Sequence, residues 1–104
     1  MGEPRRVEVE WGVSHPETGE RGVAVRTPYL RDFVQELKCD LAAEDRRWVP
    51  GDEWEEGWWW VSIDFGEYAE DLVVHHFGET RVISEDAEEY HDRGGTVSRQ
   101  ERLL

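Results

Sequence analysis

The chain contains no asparagine, one lysine and one cysteine among its 104 residues. Each scarcity narrows the reading. A single Cys39 excludes an internal disulfide and fits a reducing compartment. Arginine almost wholly replaces lysine, eleven to one, and with the missing asparagine this is a composition compatible with growth in heat. Long apolar runs are missing as well. The longest, Trp58-Trp59-Trp60-Val61, is far too short to span a bilayer. The opening Met-Gly-Glu-Pro-Arg-Arg carries no apolar stretch of a signal peptide, so a cytoplasmic location with no membrane contact is expected.

Positive charge is also in short supply. The formal net charge is −13, and it is unevenly spread. Residues 1–49 carry ten acidic and eight basic side chains, whereas residues 50–104 carry fifteen acidic and four basic. A nucleic-acid surface draws most of its affinity from neutralised phosphates, so this balance disfavours nucleic acid as a partner. The same charge keeps a chain with six tryptophans soluble and favours a basic protein partner.

What is present is ample apolar material for one modest core: 38% of residues are hydrophobic and 12% aromatic. Val7, Val9, Trp11 and Val13 alternate with polar neighbours and predict a half-buried strand. The turn-rich 15–22 segment closes a hairpin onto a second strand through Val23 and Val25. Thr27-Pro28 reads as a helix start, a capping hydroxyl followed by proline at the first helical position. Leu30, Phe33, Val34, Leu37 and Leu41 then mark an amphipathic helix ending near Cys39–Leu41. Trp48-Val49 is a third strand, and 58–63, apolar on both faces except Ser62, a covered fourth. Asp64 and Glu67 have capping-box spacing before a second helix that Gly78 terminates. Residues 80–84 give a fifth strand. The expected fold is α+β, a two-layer sandwich in the order β-β-α-β-β-α-β, with a mixed sheet and both helices on one face. The expected domain is 1–85, followed by a mobile acidic and polar tail over 86–104.

Catalytic motifs are wanting. Ser14, Ser62, Ser84 and Ser98 lack a nucleophile elbow, and Cys39 lacks an evident histidine and acid partner. Phosphate-binding glycine patterns are missing, so no enzyme active site and no cofactor are expected. The histidines are His15, His75, His76 and His91, without Cys-x-x-Cys or His-Glu-x-x-His spacing. His75 and His76, as helix neighbours, are not expected to face one ion, and no metal is expected. Their place in the last helical turn suits the helix dipole instead.

The aromatic residues carry more. Trp48, Trp54, Trp58, Trp59 and Trp60 fall in one predicted hairpin. Alternation sends Trp58 and Trp60 one way and Trp59 the other, so one set packs beneath the helices. Trp54 stands at the tip among Asp52, Glu53, Glu55 and Glu56, an arrangement suited to anchoring a protein partner.

Thr27-Pro28-Tyr29-Leu30, the run from Val34 to Lys38, Arg46-Arg47-Trp48-Val49-Pro50 and a later Trp-Val pair together form a further pattern. Over residues 23–78 it resembles the HARP domain of annealing helicases and related N-terminal modules of DNA repair helicases. That resemblance implies contact with branched or single-stranded DNA through Lys38, Arg46, Arg47, Trp48 and Trp60. The chain departs from it in a longer turn bearing Asp52, Glu53, Glu55 and Glu56, and in having no helicase motor. The expectation is a non-catalytic binding module, an accessory or regulatory protein of nucleic-acid metabolism acting through protein contacts. An acidic DNA mimic that occupies a basic nucleic-acid-binding protein is the first alternative. A structural homodimer joined at an exposed sheet edge is the second.

Overall fold

The computed structural model of the chain describes residues 7–51, 56–83 and 90–94, the last as backbone alone. The fold is α+β. Among the described residues the strands are six: β1 (Glu8–Ser14), β2 (Arg21–Arg26), β3 (Arg46–Val49), β4 (Trp58–Ser62), β5 (Glu79–Ile83) and β6 (Tyr90–Gly94). Two helices, α1 (Arg31–Asp40) and α2 (Gly66–Phe77), follow β2 and β4. One sheet holds all six strands in the order β3-β4-β2-β1-β5-β6. It is mixed, because β1 and β5 run parallel while every other neighbouring pair is antiparallel.

Register decides which residues share a face. Val9 sits opposite Val25, Val25 opposite Trp59 and Trp59 opposite Trp48. Trp11, Val23 and Val61 form the next row on that face. Val9, Val23, Val25, Trp59 and Val61 make one apolar core with Phe33 and Leu37 of α1 and Ala69, Leu72 and Val73 of α2. Both helices therefore cover the same face. Trp11 ties the sheet to α2 by a polar bond as well, its Nε1–H donating to Glu70 Oε2 over 2.6 Å.

The opposite face is polar and aromatic. Arg26 reaches Glu8 at 3.0 Å and Glu10 at 2.9 Å, and its guanidinium carbon lies 5.6 Å from the Trp58 ring centre. The β1–β2 turn folds back over this side. His15 meets the Trp60 ring edge-on at 4.7 Å, and its Nδ1 accepts the backbone N–H groups of Glu17 and Thr18. Trp60 is fully buried, and its Nε1–H donates to the Val13 carbonyl at 3.0 Å.

Several local expectations are corrected. Thr27-Pro28 does not start the helix. α1 begins at Arg31 after an extended Leu30 with no side-chain cap, and the Thr27 hydroxyl donates to the Pro28 carbonyl instead. Asp64 does not cap α2, because it lies within a 3-10 turn, Ile63–Phe65, that leads straight into the helix. Val13 leaves the helix-covered face. A bulge between Trp11 and Val13, where Gly12 has φ 87°, brings Val13 opposite Gly22. The folded body also extends beyond residue 85, since Tyr90–Gly94 pairs antiparallel with β5. The remaining tail residues, 86–89 and 95–104, lie outside the described residues. Gly78 does terminate α2, taking the left-handed conformation with φ 87°.

Candidate functional site

Among the described residues β3 is one edge of the sheet, bonded to β4 on one side only. An edge strand presents unpaired main-chain groups along its outer side. Pro50, directly after β3, has no N–H to donate and marks an edge in the sequence itself.

Trp48 stands at this edge. It shares the helix-covered face with Trp59, directly opposite in β4, and the two ring centres are 5.4 Å apart with planes inclined at 59°. Burial normally follows for so large a ring, yet Trp48 remains 47% exposed. The ring is nevertheless held in place. It lies across Gly57, where a Cβ would come within 2.7 Å of its Cη2 and 2.6 Å of the Val49 carbonyl oxygen. Glycine is required there by close approach. Trp48 is thus packed on Trp59 and Gly57 over part of its surface and exposed over the rest.

The residues that the helicase-like resemblance singles out are not brought together. Trp48 is on the helix-covered face of the sheet, whereas Arg47 and Trp60 are opposite one another in the ladder and lie on the far face. Trp60 is fully buried. Arg47 holds Glu17 with two parallel bonds of 2.9 and 2.8 Å, and Arg46 Nε donates to the Leu41 carbonyl at 3.1 Å. Lys38 is exposed on α1. Of the acidic turn, Glu56 is exposed, while Asp52, Glu53, Trp54 and Glu55 lie outside the described residues.

A second cluster lies where α1 meets α2. The helices run side by side with Phe33 packed edge-on to both His76 and Phe77, at 5.8 and 5.6 Å between ring centres. Two polar contacts brace them. Tyr68 donates its hydroxyl proton to Asp40 Oδ2, and His76 Nε2 meets Glu36 Oε1 at 2.8 Å. Burial, helped by the bond to Asp40 and by the charges of Asp40 and Glu36, pushes the Tyr68 phenol well above its ordinary value near 10. His75 and His76 meet edge to face at 4.9 Å, and with Glu36 they offer three ligand atoms all within 4.8 Å of one another. The expectation that adjacent helical histidines cannot share an ion rested on backbone spacing. Rotation about the side-chain bonds brings the two rings together, and the third group comes from the other helix. No motif spacing along the chain registers such a set.

Compared with protein-family models, curated proteins and solved structures, the chain matches none.

Proposed function

We propose that this chain is a binding module that acts through protein contact at the β3 edge, with Trp48 as its anchor. One observation carries the reading: a tryptophan fixed against Trp59 and Gly57 yet 47% exposed, on a strand whose outer side is open among the described residues. A ring already held in place loses little freedom on binding, which is why rigid aromatics dominate interface energetics. Tryptophan offers up to about 250 Å² of surface, so covering the exposed half removes roughly 100 Å² from water. At about 25 cal/mol per Å² this contributes about 2.5 kcal/mol, the scale of an interface hot spot.

Charge suits a basic partner. The net charge of −13, and the four carboxylates that the sequence places between β3 and β4, would steer such a protein toward this edge. An extended basic segment would add its own main-chain bonds to the outer side of β3. Nucleic acid is the poorer candidate, because Trp60 is buried and Arg47 is already engaged by Glu17.

The test is affinity capture from the native cell extract with the wild-type chain and with Trp48→Ala, each shown to be folded by circular dichroism. The reading expects a basic protein retained by the first and lost by the second, with retention weakening as salt rises. Capture indifferent to Trp48, or no specific capture at all, defeats it.

A further inference from the structure

Glu36, His75 and His76 gather at the α1–α2 junction, on elements other than β3, and the β3 edge does not account for them. The contact of His76 Nε2 with Glu36 Oε1 uses two of the three groups. His75 is exposed beside them, its ring set at 86° to that of His76. Two adjacent imidazoles next to an exposed carboxylate form a concentrated set of electron-pair donors. We propose that these three side chains form a binding site for a divalent transition-metal ion of the zinc type.

The geometry comes close to what such an ion needs. Zinc binds imidazole nitrogen and carboxylate oxygen at roughly 2.0–2.2 Å, so two ligands of a tetrahedral ion are about 3.4 Å apart. Glu36 Oε1 and His76 Nε2, at 2.8 Å, need to separate by roughly half an ångström for the ion to replace the shared proton. His75 must close by at most about 1.5 Å, within reach of an exposed side chain turning about χ1 and χ2. His76 is the fixed member, half-buried with its ring packed edge-on to Phe33, so the site is partly organised before binding. Both histidines lie in the last turn of α2, where the helix dipole favours a cation.

Donor chemistry selects the ion. Two imidazoles and one carboxylate suit zinc and its neighbours in the first transition row, whereas calcium and magnesium prefer all-oxygen cages. With three protein ligands, a water molecule would complete the tetrahedron.

The experiment is calorimetric titration of the metal-free full-length chain with zinc chloride in the presence of excess calcium, repeated on His75→Ala and Glu36→Gln. Both positions are exposed, and glutamine at 36 keeps a hydrogen-bonding group toward His76, so each variant is checked for native circular dichroism before titration. Cobalt(II) in place of zinc reports the coordination through its visible absorption. We expect one zinc per chain, a tetrahedral cobalt spectrum, and affinity at least about tenfold weaker in each variant. Failure to bind one zinc per chain, displacement by calcium, or full affinity in either variant would overturn the three-ligand assignment.

Discussion

Gly22→Ala places a single methyl group where two parts of the fold meet. Gly22 lies in β2 opposite Ser62, buried. A Cβ there would come within 2.6 Å of Trp60 Cε2 and Nε1, and nearer still to the Val61 carbonyl oxygen. Neither neighbour can yield cheaply. Val61 belongs to β4, the strand paired with β2, and the fully buried Trp60 ring is fixed by its bond to the Val13 carbonyl and by His15 on its edge. On propensity alone, alanine in a strand would stabilise by roughly 0.5–1 kcal/mol over glycine. Overpacking a rigid site costs about 1–3 kcal/mol, and more where backbone must move. The clash wins, and a net loss of about 2–3 kcal/mol is expected. For a domain of this size that is a fall of roughly 8–24 °C in Tm. Urea unfolding followed by tryptophan fluorescence measures it directly. A variant within about 0.5 kcal/mol of wild type would mean that Trp60 does not lie over Gly22, and the aromatic ring could then be free for other contacts.

Further outcomes follow from other parts of the molecule. Phe33→Ala removes a fully buried ring from between the helices and should cost about 3–5 kcal/mol in equilibrium denaturation. Trp48→Ala should cost only about 1 kcal/mol of stability, because about half of the residue is already exposed, while partner affinity falls by about 2 kcal/mol or more. The raised Tyr68 phenol binds its proton more tightly when folded, so its contribution to stability is complete below about pH 10 and declines as pH rises above that. Tyr68→Phe should flatten that alkaline decline, and ultraviolet titration should lose a phenol that ionises above its ordinary value. Replacing Arg46 and Arg47 with alanine should leave any low-salt association with single-stranded DNA unchanged, measured by fluorescence anisotropy. A drop in its salt slope by about 0.7 per residue would restore the nucleic-acid reading.

Periodicity carried the fold where one face of an element is buried. The alternation of Val7, Val9 and Trp11 and the spacing of Phe33, Leu37 and Leu41 mark a strand and a helix whose apolar sides meet in the core. The three-tryptophan run divides as alternation requires, Trp59 toward the helices and Trp58 and Trp60 away. Helix starts were less legible, because Thr27-Pro28 and Asp64 have capping chemistry but the chain around them takes an extended stretch and a 3-10 turn. The sixth strand was hidden, since Tyr-His-Asp-Arg-Gly has no apolar alternation and is joined to β5 by main-chain pairing. The exposed side of Trp48 could be read in part from Arg46 and Pro50 two residues to either side, neither of which continues an apolar face. The Glu36, His75 and His76 cluster could not be read, because it depends on how α1 and α2 dock to bring Glu36 against His76, forty residues further on.

Whether the β3 edge is the docking surface is read out by hydrogen–deuterium exchange on the chain bound to its captured protein. Exchange should slow at the main-chain amides of 46–49 on binding, while those of α1 and α2 keep their rates. Protection of the helices with 46–49 unchanged would contradict the account.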